Sequence, residues 1–197
     1  VKETVSNERE IVTTEVRSET TLPASGSPAH HYPDLTLVEE ELEAARDINH
    51  EARETLFSIL DDAKLGHSLD TPRAKKVISQ MTESILRNPD ALVWLTQLKT
   101  KHEYTATHSL RVCVLALAMG RHLGYDRDKL NVLGTGALLH DIGKLKVPNE
   151  LLDKPESLTR EEFEIMKSHV PEGLKLLDSA VGIPAPASVP EFMVKLL

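Results

Sequence analysis

Five residues have the types and spacing to do chemistry together: His108, His140, Asp141, Lys144 and His169. Three of them lie in the stretch 133–148, LGTGALLHDIGKLKVP. It reads as an apolar helix that ends on His140-Asp141 and breaks at Gly143. An imidazole and a carboxylate then stand side by side at the exposed end of a buried helix. Both are ligands for divalent metals. Neighbours on a helix point about 100° apart, so a metal pair can receive a His nitrogen and a bridging Asp oxygen. Gly143 is expected in the left-handed turn that stops a helix, with Lys144 beyond it facing an anion beside the metals. An HD dipeptide alone also fits a helix C-cap with a solvated Asp. The apolar run Ala137-Leu138-Leu139, the Gly143-Lys144 pair and the flanking His108 and His169 favour the metal reading.

Nitrogen and carboxylate ligands without thiolates suit iron, manganese or zinc. Two such metals about 3.5–4 Å apart stabilise both oxygens of an in-line phosphoryl displacement. Lys144 would neutralise charge on the phosphate. Singly, His108 reads as a core-edge histidine and His169 as a helix-end charge near the dipole. The metal reading rests on the five taken jointly.

Three helices must position them. Residues 102–124 read as one helix, nearly continuously apolar from Leu110 to Met119 and so central to the core. His108 sits one turn upstream of that run. The next helix starts at Asp128 and runs through Leu130, Val132 and Leu133 to His140-Asp141. Its Gly134 and Gly136 lower helix propensity and suit close packing beneath the site. Thr159 and Glu162 form a capping box for a helix holding Phe163, Ile165 and Met166 and reaching His169. Pro171 then restarts or kinks it, and Gly173 permits close approach. In a helical bundle such ends can meet in one cleft. His102 and His122 fit no such pattern and read as surface residues.

Upstream, residues 1–34 are poor in large apolar groups and read as a flexible linker, with strand character only around 11–13. His30-His31 reads as a solvated loop pair. Thr36 and Glu39 form a capping box for a helix to about Leu65, with Gly66 beyond its end. Its apolar positions Val38, Leu42, Ala45, Ala52, Leu56, Ile59 and Ala63 make a heptad seam with Asn49 in the missing place. That seam admits a homodimer through residues 37–65 or packing within the domain. Thr71-Pro72 and Asn88-Pro89 each cap a further helix. The second of these runs from Asp90 to about Lys101, with Trp94 as a core anchor. No strand pattern of any length follows residue 36, so the fold class is all-α. After Leu177 comes a proline-rich connector, and the chain stops at Leu197 in what reads as the opening of one more helix.

The 197 residues suffice for one domain with a sizeable core, with room for a small second one. A 40% hydrophobic, 27% charged composition is globular. Only 4% is aromatic, which leaves no stacking platform for nucleic acid. A net charge of −8 argues against a large nucleic-acid surface, though a local basic pocket is allowed. The single cysteine, Cys113, excludes an intrachain disulfide and suits a reducing cytoplasm. Core packing is the expected role of its thiol. No signal peptide or long apolar run is present, so the chain is read as soluble, without a membrane span. It begins with Val1 rather than Met, which reads as a fragment or a processed chain.

From about residue 85 to 178 the chain resembles the first half of an HD-GYP domain, a branch of the HD phosphohydrolase superfamily. The segments that carry this are SILRNPDALVWL, YTATHSLRV, GALLHDIGKLKVPNELLDKP and LTREEFEIMKSHVPEGLKLL. The resemblance implies a truncated helical bundle of HD-domain type over 101–197, preceded by a helical region over 35–100. It implies bacterial signal transduction through hydrolysis of cyclic di-GMP to a linear dinucleotide or GMP. It implies a cluster of two or three metals, iron or manganese ahead of zinc. By carry-over, His108, His140, Asp141 and His169 match metal ligands. Lys144 matches the residue that contacts the substrate phosphate, and Lys154 is taken as a second substrate contact.

The departures shape that expectation. The family's paired His, Gly-Tyr-Pro signature and further metal-binding Asp do not occur in the 197 residues. Three-metal members carry a carboxylate where this chain has Tyr104, which favours two metals. Glu156 follows Lys154-Pro155, where the family often has Gly. The expectation is a phosphodiesterase in the parent protein, a weak or inactive 197-residue chain, and an exposed apolar surface on the helices from Leu110 and Leu133. The competing readings are a non-catalytic HD-type signalling or binding module and another HD nucleotide phosphohydrolase. The L-x-K-P-x-x-L-T-x-E-E segment argues against the latter by resemblance.

Overall fold

The heptad-like spacing between Val38 and Ala63 produces α1, Val38–Leu65, in the computed structural model, which describes residues 31–97 and 104–178. Readings placed on 1–30, 98–103 and 179–197 lie outside the described residues: most of the linker, His30, His102 and the proline-rich connector. Within α1, Ala45, Ala52, Leu56, Ile59 and Ala63 are at most 1% exposed. They pack against α2, Thr71–Arg87, and α3, Pro89–Gln97. The seam that admitted a dimer is thus filled from within the chain, and any dimer through 37–65 must use the remaining surface. Gly66 closes α1 in the left-handed conformation at φ 72°, which a glycine adopts without steric cost.

The helix starts differ from expectation by a residue or two. Leu37 rather than Thr36 is the N-cap of α1, and its N–H donates to the Glu40 carboxylate at 3.4 Å. Asp70 rather than Thr71 caps α2, its carboxylate accepting the Arg73 N–H at 3.0 Å. Asp126 rather than Asp128 caps the helix Arg127–Leu139, accepting the Lys129 N–H at 2.8 Å. In the last two cases two cap-forming residues lie close together, and the one three residues before a free N–H wins. Trp94 is also corrected. The short α3 turns Ala91, Leu92 and Leu95 inward, which leaves Trp94 48% exposed.

Sequence spacing did not reveal the ion pair between Glu41 and Arg87. Both guanidinium nitrogens Nε and Nη2 donate to the Glu41 carboxylate at 2.7 Å, and that carboxylate is buried. Arg87→Met strands a buried anion, so it should cost about 3 kcal/mol of stability. Urea denaturation at pH 7 checks this, and a loss under 0.5 kcal/mol would contradict it.

The centre of the fold is α4, Tyr104–His122, against α5, Arg127–Leu139. Leu110, Cys113, Val114 and Leu117 of α4 and Leu130, Leu133, Ala137 and Leu138 of α5 are buried in one cluster with α1 and α2. Gly134 serves close packing, as expected. A Cβ there would lie 3.0 Å from Leu117 and 3.1 Å from Ile78. Gly120 is tighter still, since a Cβ there would stand 2.7 and 2.8 Å from methyls of Leu130 and Leu133. The Cys113 thiol donates to the Gly134 carbonyl at 3.4 Å, and burial pushes its pKa up to about 12. It is a packing residue.

The remaining described elements are short and helical: a 3₁₀ turn Ile142–Lys146, α6 Asn149–Leu152, α7 Arg160–Lys167 and α8 His169–Asp178. Among the described residues there is no strand, and the fold is all-α. No helix of the described residues is long and apolar enough to cross a membrane.

Of the exposed apolar surface expected on α4 and α5, the α4 part is present, whereas Leu130, Leu133, Leu138 and Leu139 of α5 are buried against the core. Leu115 and Met119 are 47% and 49% exposed, and by helical periodicity they share one face with His108. Such a patch promotes association. The double variant Leu115→Glu/Met119→Glu should keep the folded stability within about 0.5 kcal/mol. It should also lower concentration-dependent self-association in light scattering. Association unchanged in the variant would assign the patch no such role.

Candidate metal centre

Each chemical side chain stands at a helix end. His108 lies in the first turns of α4, and His140 is the C-cap of α5 at φ −54° and ψ −35°. Asp141 precedes the 3₁₀ turn, and Lys144 lies within it, three residues on. His169 is the first residue of α8. The break between α7 and α8 falls at Ser168, so α8 restarts at His169 rather than at Pro171. The expected capping box of α7 forms as read, with the Thr159 hydroxyl accepting the Glu162 N–H and the Glu162 carboxylate accepting the Thr159 N–H.

What seats α8 on the site is Gly143, for a reason other than the one expected. Gly143 does not adopt a positive φ; among the described residues only Gly66 and Gly124 do. It lies in the 3₁₀ turn, pressed on the backbone of α8. A Cβ on Gly143 would overlap the His169 carbonyl oxygen and stand 2.5 Å from the Gly173 nitrogen. Gly173 faces it from α8, as expected of a close-approach glycine.

Three imidazoles surround one carboxylate. Oδ2 of Asp141 lies 3.2 Å from His140 Nε2 and 3.7 Å from His108 Nε2. Oδ1, the other oxygen, lies 3.8 Å from His169 Nε2. Lys144 Nζ donates to Oδ2 at 2.7 Å. Ligand atoms of His108, His140 and Asp141 all fall within 4.8 Å of one another, a grouping able to hold a metal ion. The rings of His108 and His140 are 5.4 Å apart, centroid to centroid.

The outer nitrogens of two rings are tied back. His140 Nδ1 lies 2.8 Å from the Ala137 carbonyl, and His169 Nδ1 lies 2.7 Å from the Met166 carbonyl. A carbonyl only accepts, so the proton sits on Nδ1 and Nε2 faces Asp141. This is the arrangement that fixes tautomer and orientation in metal-ligating histidines. Both carbonyls lie three residues upstream at a helix end, a local signal that the sequence reading passed over.

Asp141 is 6% exposed. Burial works to raise its pKa, but hydrogen bonds from His140 and Lys144 outweigh it and hold the carboxyl well below the usual carboxylate range. For His140, burial favours the neutral ring, and the hydrogen bonds to Asp141 and the Ala137 carbonyl overcome it, raising the pKa. For His108, burial prevails over the attraction of Asp141 and lowers it. An ionised carboxylate among imidazoles, free of thiolates, is a donor set that fits a divalent cation. Lys154 stands outside this group. Its ammonium is paired with Glu162 at 2.5 Å. His31 and His122 are exposed, as expected of surface residues.

Residues 105–181 match the HD domain family. The chain is similar to a cyclic di-GMP phosphodiesterase of Pseudomonas aeruginosa, 38% identical over 157 residues, covering 80% of this chain and 37% of that protein. It is similar to a cyclic di-GMP phosphodiesterase of Thermotoga maritima, 40% identical over 73 residues, covering 37% and 20%. It is also similar to 3'3'-cGAMP-specific phosphodiesterase 3 of Vibrio cholerae, 46% identical over 70 residues, covering 35% and 15%. The matched stretch thus spans well under half the length of each of these relatives. No solved structure matches the chain significantly.

Proposed function

We propose that the HD domain matched over residues 105–181 is of the HD-GYP kind and that its protein is a metal-dependent phosphodiesterase acting on cyclic di-GMP, a reading supported by the 38% identity to a cyclic di-GMP phosphodiesterase. One observation carries the reading. The two oxygens of Asp141 face different imidazoles, Oδ2 toward His108 and His140 and Oδ1 toward His169. A carboxylate so placed could offer one oxygen to each of two cations.

HD domains bind divalent metals, and His108, His140 and Asp141 could hold one here. The number and identity are our assignment: two ions, iron or manganese ahead of zinc, held by His108, His140, Asp141 and His169. The thiolate-free donor set supports it. Bound cations supply an activated water and Lewis acidity toward the phosphodiester.

The chain's own residues do the rest. The Ala137 and Met166 carbonyls hold His140 and His169 with Nε2 inward. Asp141 stays ionised throughout the physiological range. Lys144 and Lys154 are assigned to the substrate phosphates, each first drawn from its carboxylate partner. The division into a linker over 1–34, a helical base over 35–100 and the site-bearing part over 101–197 is kept. It is supported by every cluster residue lying after residue 100. A cytoplasmic location is supported by the lone, buried thiol of Cys113.

The test is turnover under anaerobic conditions with iron(II) or manganese(II), offering cyclic di-GMP and 3'3'-cGAMP in parallel with an Asp141→Ala control. Metal-dependent hydrolysis of cyclic di-GMP that the control lacks supports the reading. Hydrolysis of 3'3'-cGAMP alone would replace the substrate. Bound metal with neither dinucleotide cleaved would favour a binding module.

A further inference from the structure

Lys144 does not point away from the cluster toward an open cleft. Its ammonium sits 2.7 Å from Asp141 Oδ2, the same oxygen that lies 3.2 Å from His140 Nε2 and 3.7 Å from His108 Nε2. It is therefore on the carboxylate oxygen that faces His108 and His140, the two residues that with Asp141 could hold a cation. We propose that Lys144 is a tethered cation competing with the divalent ion for Asp141 Oδ2, released as the ion binds and then free to meet the substrate phosphate. The proposal rests on the metal-centre reading above and deepens it.

Three features support a displaceable contact over a fixed one. First, the Lys144 side chain is 31% exposed while Asp141 is 6% exposed. The ammonium therefore has solvent to enter, and the carboxylate does not. Second, Lys144 is three residues from Asp141 on a 3₁₀ turn. A long unbranched stem swings without moving that backbone, whereas the turn itself is pinned by Gly143 against α8. Third, two cations on one carboxylate oxygen repel at short range. The contact that neutralises Asp141 is thus the contact that a divalent ion has to break. One side chain then couples two events: cation entry at Oδ2 and presentation of a positive charge to an anionic substrate.

The test is manganese(II) affinity, read by electron paramagnetic resonance of the free ion, for the wild-type chain, Lys144→Met and Lys144→Arg. Lys144→Met should bind manganese about tenfold more tightly than wild type, equivalent to about 1.4 kcal/mol. Lys144→Arg keeps a cation there and should bind no more tightly than wild type. A residue that only shaped the site would move affinity the other way, so tighter binding separates competition from structural support. Equal or weaker binding by Lys144→Met overturns the proposal and leaves the metal centre standing. No manganese bound by any of the three chains overturns both. If Lys144→Met folds poorly, Lys144→Gln serves with the same expectation, and manganese should raise its Tm by more than it raises that of wild type.

Discussion

Gly143→Ala should be more damaging than the same change at Gly66, Gly120, Gly134 or Gly173. A Cβ on Gly143 would overlap the carbonyl oxygen of His169 and stand 2.5 Å from the nitrogen of Gly173. Both obstacles are backbone atoms of α8, so no rotamer change relieves them. Ordinary overpacking costs about 1–3 kcal/mol because side chains give way. Here α8 has to lift off the 3₁₀ turn, and the loss should exceed about 4 kcal/mol. The same movement carries His169 away from Asp141 Oδ1, so manganese binding should weaken with stability. Gly173→Ala is the internal comparison. Its nearest neighbour would be the Gly143 nitrogen at 3.3 Å, and about 1 kcal/mol is expected. Urea denaturation of the two variants decides it. A Gly143→Ala chain within 1 kcal/mol of wild type would show that α8 is not seated there.

Gly143 also illustrates where sequence reading stops. The HD-x-G-K pattern is local, so it was legible as a helix end carrying an imidazole and a carboxylate. The reason for its glycine is non-local, because it lies in a segment 26 residues downstream that begins at His169. A left-handed turn was the local explanation available, and contact with α8 replaced it. Trp94 and the α1 seam fail in the same way. Size suggested a core anchor and heptad spacing admitted a dimer. Yet which face is buried depends on which helices arrive, and α2 and α3 arrived at the seam while Trp94 is left about half exposed. The caps were legible to within two residues, since Asp70 and Asp126 stand beside the residues expected.

The imidazoles were found by spacing and type, yet their orientation was not. That orientation depends on the Ala137 and Met166 carbonyls, each on the helical turn just before its ring. Nor did spacing distinguish Lys144 facing a substrate from Lys144 on Asp141. Both positions lie within reach of one flexible stem. Charge pairing with a buried carboxylate selects the second.

Asp141→Asn should remove the centre while keeping its volume. The amide offers no anionic oxygen between His108 and His140 on one side and His169 on the other, so manganese affinity should fall more than about 100-fold. Without metal the variant should also be less stable, by about 3 kcal/mol at its maximum, because Lys144 and His140 lose a buried partner. The pH dependence has a definite shape. Asp141 has its folded pKa depressed below the ordinary 3.8. Its contribution is therefore present above that value and is lost as pH falls through the folded pKa. His140 has its folded pKa raised above the ordinary 6.5, largely through Asp141 once burial is overcome. That contribution is full below 6.5 and is lost as pH rises through the raised value. The difference in unfolding free energy between wild type and Asp141→Asn should thus be widest from about pH 5 to 6.5 and narrow on both sides. Urea melts in chelator from pH 3 to 9 trace it. A difference flat across that range would mean that Asp141 is not charge-coupled to His140, and the bridging carboxylate would lose its electrostatic support.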